Sequence, residues 1–459
     1  MNTNYREISK PMLPHALAAA MLACLLWLTA GAALAQEAQA AQPAVASQAP
    51  TELNLTPAQA AELALRNSLQ LQRDAKSVEQ AEARLKQAQT IGKTTTAASA
   101  SLTHRAPVKN SRPFNEILSV ALNKPLYTGH RLETQTALAK RGIEAASARA
   151  AVTASETALA ARTLAYNILR LDMLASVTNQ RATAVAEHLR ITRAMEAAGT
   201  VPNFEVVQAE TELASAKGDI IAAQTAAQQA RAVLANLLVL PQTTVLTVEE
   251  GVPLQQPDAS LTDLFALGWE KRPEMTLAER QLRVAEATLD VIHQSTNSSL
   301  GFVAQVNQQT VTAVNEPLNW VLGLAWTKPL SDGGLRRAEE EEQRAVIADA
   351  KLQIESLKQD ISLEIKHAVL AVDEAREQLK VAEAGEVNAR ERLRMADVRF
   401  AAGLSIGIEV LDAQTALAAA QAATVNARYD LQTSVVDLLR AIGDLEEDLE
   451  AGPAAPAKP

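Results

Sequence analysis

Apolar residues recur at alternating spacings of four and three along a proline-free run from Leu335 to Ala402. They are Ile361, Ile365, Ala368, Val372, Ala375, Leu379, Ala382, Ala389, Leu393, Ala396 and Phe400, and only Glu386 breaks the series. That spacing is a coiled-coil seam, and its small residues let helices approach closely. An earlier run from Arg131 to Ala198 carries Leu164, Ile168, Leu171, Ala175, Ala182, Val185 and Leu189 at matching positions. At ~1.5 Å rise per residue each run reaches roughly 100 Å. Phe204 to Leu240 and Ile408 to Leu445 return as second helices, so the pattern predicts two long helical hairpins.

Ahead of each hairpin the period changes. Leu300, Phe302, Ala304 and Val306 alternate with polar or small residues, as do Trp320, Leu322, Leu324 and Trp326. Period two reads as strand, near 299–309 and 319–328, with fainter equivalents near 96–104 and 116–125. Each second strand meets Lys-Pro-Leu and then glycine, at Pro125 with Gly129 and at Pro329 with Gly333. Proline disfavours helix in the residue before it and cannot donate in a sheet, so these residues mark a strand-to-helix transition. Two hairpins alone are marginal and leave open edges. Either they pack on helices, or copies from several chains close them into a barrel whose apolar side faces lipid.

The two halves are copies of one design. Ala197, Ala198, Gly199, Glu205 and Val206 recur as Ala401, Ala402, Gly403, Glu409 and Val410, each shifted by 204 residues. Ala81, Glu82, Ala83 and Leu85 recur as Ala285, Glu286, Ala287 and Leu289 at the same shift. One offset throughout argues duplication of a whole unit. The first repeat spans 55–240, with a helix over 55–89 started by Thr56 and Pro57 and a hairpin tip near 199–204. The second spans 261–445, with a matching helix over 261–294 and a tip near 403–408. A linker at 241–260, with room for a short strand, joins them, and a disordered tail follows at 446–459.

Residues 1–35 read as an export signal, with Arg6 and Lys10 before an apolar run that ends in Ala33-Leu34-Ala35. Residues 36–54 are a flexible lead rich in Ala, Gln and Pro. Cys24, the single cysteine, lies inside the apolar run rather than at its end, which argues against lipidation. Disulfides, cysteine metal sites and thiol catalysis are therefore excluded from the mature chain. Without Arg6, Glu7 and Lys10, the 43 basic and 53 acidic residues become 41 and 52, a formal charge of −11. An acidic chain without a basic cluster does not bind nucleic acid.

The openings LTPAQAAELALRNS, the KPL-glycine transitions and GLSIGIEVLDAQTALAAAQAATVNARYDL, taken in this order with the duplication, resemble the TolC family of outer-membrane efflux proteins (outer membrane factors). The resemblance covers nearly all of the mature chain. It implies a mainly α fold with a small β part: a homotrimer forming a twelve-stranded β-barrel in outer-membrane lipid, continued by a periplasmic α-helical barrel. It also implies an exit duct of a tripartite efflux or type I secretion system, passively conducting cargo from an inner-membrane transporter and a periplasmic adaptor. The adaptor would dock on the tip turns at Gly199, Thr200, Gly403, Leu404 and Ser405. The resemblance fails at Ser405 and Phe400, where the best-known member carries an arginine and a tyrosine that tie its closed entrance.

Glu409 and Asp412 share a helix face, and threefold symmetry would gather them around one opening. Similar family positions hold acids that constrict the entrance and favour cations, and Glu205 is the corresponding acid of the first copy. The alternative is a solvated helix face. The six histidines, His188 among them, show no ligand spacing and read as surface or tunnel residues, so no metal site or cofactor is expected. No phosphate loop or nucleophile constellation stands out, which points away from an enzyme. The rival readings are a periplasmic adaptor, which would have one hairpin and more sheet, and a structural coiled-coil protein of the envelope.

Overall fold

The computed structural model describes residues 52–104, 114–311, 314–315 and 317–444. The expected signal at 1–35, most of the lead and the tail at 446–459 lie outside these residues. The chain order is β1 (Glu52–Leu55), α1 (Pro57–Asn67), α2 (Leu69–Gln89), β2 (Thr95–His104), β3 (Phe114–Tyr127), α3 (Arg131–Ala197) and α4 (Asn203–Leu237). Then come β4 (Val245–Val248), α5 (Leu261–Lys271), α6 (Pro273–Gln294), β5 (Ser299–Val311), β6 (Val314–Asn315), β7 (Asn319–Thr327), α7 (Leu335–Ala401) and α8 (Gly407–Ile442). The shift of 204 residues reappears in the element ends, from Arg131 to Leu335, Ala197 to Ala401 and Asn203 to Gly407.

The long helices α3 and α7 each run 67 residues. Every seam position from Ile361 to Phe400 is buried or half-buried, and the exception Glu386 is ion-paired with Arg390 at 2.7 Å. The main core lies where α1, α3, α4, α5, α7, α8 and β4 meet. Its alanines Ala60, Ala61, Ala64, Ala158, Ala161 and Ala165 have no exposed surface, so backbones approach closely around Ile168, Leu234, Ile365, Leu438 and Ile442.

Three expectations need correction. The lead does not run to residue 54, because Glu52–Leu55 is strand and pairs in parallel with β4 of the linker, Leu55 opposite Val248. Leu55, Leu246 and Val248 are buried there, which repays the ordering of both segments. The helix over 55–89 is two helices, broken at Ser68, whose hydroxyl accepts from the Leu71 amide at 3.4 Å and restarts α2. The helix over 261–294 breaks at Arg272, because Pro273 opens α6 and disfavours helical backbone in the residue before it.

Helix α1 opens with a capping box. The Thr56 hydroxyl accepts from the Gln59 amide at 3.3 Å, and the Gln59 side chain accepts from the Thr56 amide at 3.0 Å. Past its far end, where the hairpin returns, the two copies differ. Gly443 (φ 79°) ends α8 in left-handed backbone, and the matching residue of the first copy is Val239 (φ 56°). A β-branched residue is strained in that region. Val239→Gly should therefore stabilise the protein by about 1 kcal/mol, read as a higher urea midpoint. A lower midpoint would show that the Val239 side chain contributes more than its backbone costs.

Candidate functional site

Apart from β1 and β4, the strands form one antiparallel sheet in the order β2-β3-β5-β7, with β6 extending the β7 side of β5. Register places Trp320, Leu322, Leu324 and Trp326 of β7 opposite Val306, Ala304, Phe302 and Leu300 of β5. Val306 and Ala304 in turn face Val120 and Leu122 of β3, so these side chains share one face. The other face is mostly small or polar: the Ser99 and Ser119 hydroxyls bond at 2.7 Å and Gln305 donates to Asn307 at 2.9 Å. No helix covers β7, whose residues are all exposed except the half-buried Gly323. Hairpins packed on helices are thus ruled out for β7, and among the described residues the outer edges of β2 and β7 have no partner. Trp320, Leu322, Leu324 and Trp326 are 60–67% exposed, an apolar patch that a soluble surface does not carry without a use.

At the strand-to-helix transition the structure separates the two copies. Pro125 lies inside β3 opposite Gly301, and a β-bulge between Pro125 and Tyr127 carries the strand past it. Pro329 lies beyond the end of β7. Gly129 (φ 64°) is required twice over, since a Cβ there would stand 2.6 Å from the Ser298 carbonyl oxygen. Gly333 (φ 68°) faces open space. Beside it the Asp332 carboxylate accepts from the Gly334 and Arg336 amides at 3.0 and 3.1 Å. The Arg336 amide, then the Gly334 amide, holds this carboxyl below its usual range, and the helix start favours the charge.

Both hairpin tips turn through left-handed glycines, Gly199 (φ 71°) and Gly403 (φ 72°). The Thr200 amide and hydroxyl both donate to the Met195 carbonyl, at 2.9 and 2.8 Å, and the Leu404 amide donates to Arg399 at 2.8 Å. Leu404 is exposed, whereas Ser405 is half-buried with an unpartnered hydroxyl. Glu409 and Asp412 are both exposed on α8. Glu205, in the first turn of α4, is half-buried, and its Oε2 is buried without a hydrogen-bond partner. That oxygen faces Gly407, against which the His188 ring also lies.

His188 corrects the sequence reading: it is 5% exposed, and burial pushes its pKa down, which favours the neutral ring. Its ring lies 5.2 Å from that of Phe400. The signal was present, since His188 lies three residues past the seam position Val185 and beside Leu189. Sequence reasoning also missed the ionic junction that ties the α5–α6 break to α7 and α8. Buried Arg272 pairs with Glu274 at 3.0 Å and with Glu364, and Arg440 pairs with Glu274 at 3.1 Å and with Glu364. Among the described residues no group of three His, Cys, Asp or Glu could hold a metal ion. Among them, too, no helix is long and apolar enough to cross a membrane.

A family model described as outer membrane efflux protein matches residues 269–444. That match spans the second repeat from helix α5 to the end of α8. The chain's place is the outer membrane. The chain is 25% identical over 276 residues to the pyoverdine export outer membrane protein OpmQ of Pseudomonas aeruginosa, an alignment covering 56% of this chain and 55% of OpmQ. It is 26% identical over 180 residues to outer membrane protein OprJ of the same organism, covering 38% of this chain and 37% of OprJ. The chain thus spans about half or less of the curated relatives it matches. The fold is similar to that of the Campylobacter jejuni CmeC outer membrane channel, with a TM-score of 0.71 at 16% identity, over 89% of this chain and 93% of that one.

Proposed function

We propose that three copies of this chain pair β7 of one with β2 of the next, closing a twelve-stranded barrel in the outer membrane. The long hairpins continue it as a tunnel through the periplasm. The observation that carries this reading is the uncovered sheet, apolar on one face, mostly small or polar on the other, and open at both edges. Closure removes the edges and turns the apolar face to lipid, the one arrangement in which strands can span a bilayer. A soluble envelope rod would leave Trp320, Leu322, Leu324 and Trp326 in water.

The protein then acts as a passive exit duct of a tripartite efflux or type I secretion system. Cargo arrives from an inner-membrane transporter through a periplasmic adaptor that docks on the tip turns at Gly199, Thr200, Gly403, Leu404 and Ser405. Glu409 and Asp412, exposed at the start of α8, form the acidic ring of the entrance, and Glu205 stands behind them. Such a ring attracts cations and repels anions. Gly129, Pro329 and Gly333 carry the chain from barrel to tunnel, with Pro125 still inside the end of the strand pairing.

The test is the reversal potential of the purified protein in a planar bilayer under a salt gradient. Discrete cation-selective steps are expected, and Glu409→Ala with Asp412→Ala should lower the cation preference and raise conductance. Steps whose selectivity ignores both substitutions would remove the ring. No steps from either protein would remove the duct.

A further inference from the structure

Near the tips each hairpin has a small core of its own. Leu189, Val206 and Ala209 with Leu213 hold α3 to α4, while Ala396, Phe400, Val410 and Ala413 with Leu393 hold α7 to α8. Met195 is the residue of the first hairpin that packs into the second cluster. Between the two lies a seam of different chemistry. The His188 ring of α3 meets Phe400 of α7, and the Gln414 amide of α8 reaches the Ala184 carbonyl of α3 at a long 3.5 Å. At its centre is Gly407, buried at the start of α8. A Cβ on Gly407 would stand 3.1 Å from Glu205 Oε2 and 3.3 Å from His188 Nε2. Its backbone is not among the left-handed glycines, so its neighbours, rather than its φ, demand the missing side chain.

The seam is also unlike its own duplicate. At the shift of 204 residues Gly407 corresponds to Asn203, Glu205 to Glu409 and His188 to Arg392, and these three counterparts are all exposed. Only the second hairpin offers a bare seat, and only the first inserts an imidazole and a carboxylate into it. The contact is a poor one in polar terms, because Glu205 Oε2 and Gln414 Oε1 are buried there without partners. Separation of the tips would return both to water, so the seam holds by shape and stays easily opened.

We propose that Gly407 is the seat on which the entrance of the duct closes: the tips of the two hairpins meet because His188 and Glu205 fit over a residue with no side chain. This rests on the duct reading above. A side chain at 407 acts as a wedge between hairpins, and loss of the His188 ring removes the piece that fits over the seat.

Single-channel conductance tests it, with the Glu409→Ala, Asp412→Ala protein as a control for pore formation. Gly407→Val should give larger steps than wild type, while the amount of assembled protein stays the same. His188→Ala introduces no bulk and should also enlarge the steps, so the test survives if valine at 407 prevents assembly. Wild-type steps from His188→Ala, or from an assembled Gly407→Val, would overturn the seat and leave the duct standing. Absence of steps from every protein, the control included, would overturn both.

Discussion

Leu322→Arg should cost about 2–4 kcal/mol per chain and deplete the assembled protein from the outer-membrane fraction, the cost of a cation on the lipid face of a barrel near mid-depth. Leu322 sits at the middle of β7, opposite Ala304 of β5, which is opposite Leu122 of β3. All three therefore lie at one level of the apolar face. Gln305→Arg, one residue along β5 and on the opposite face, should assemble and alter selectivity instead. The measurement is the yield of assembled protein extracted from outer membranes. Equal tolerance of both substitutions would mean that the apolar face does not meet lipid.

The second large effect is expected at Arg272. Its side chain is 4% exposed and bonds Glu274 and Glu364, which Arg440 shares. Arg272→Ala removes one partner of a buried ionic group and should destabilise by about 3 kcal/mol, the low end for such a loss because Arg440 remains. Backbone packing raises the stakes locally: a Cβ on Gly443 would stand 2.9 Å from the Arg272 amide nitrogen, so helix α8 ends directly against this break. The same cluster sets an acid limit. Burial pushes the Glu274 carboxyl up, but its bonds to Arg272 outweigh this and leave the pKa below the ordinary 4.5. A depressed carboxyl stabilises the fold above its unfolded pKa, and that stability is lost as pH falls below about 4.5. Thermal unfolding followed by helical circular dichroism should show a midpoint that drops in that window in wild type. The drop should be smaller in Arg272→Ala. A midpoint unchanged by Arg272→Ala would show that Arg440 holds the junction alone.

How much was legible follows from the range of the interactions. The seam from Ile361 to Phe400 could be read because helical period is local, and its positions are buried as the spacing required. The alternation of Trp320 to Trp326 gave strand β7 for the same reason. Strand β1 was not legible, since four residues carry little pattern and its partner Val245–Val248 lies far along the chain. Pro125 misled because a bulge lets β3 absorb it. The burial of Glu205 depends on α8 arriving with glycine at 407, a tertiary coincidence that no spacing within α4 encodes, whereas His188 could have been read from its place beside the seam. The open edges of β2 and β7 could be suspected but not closed, because their proposed partners are strands of other copies.

Closure of this open-edged sheet requires two further copies. Native mass spectrometry of the protein extracted from outer membranes in mild detergent tests it most directly. A species of three chains is expected. A monomer as the sole extracted species, or an assembly of any other number, would contradict it.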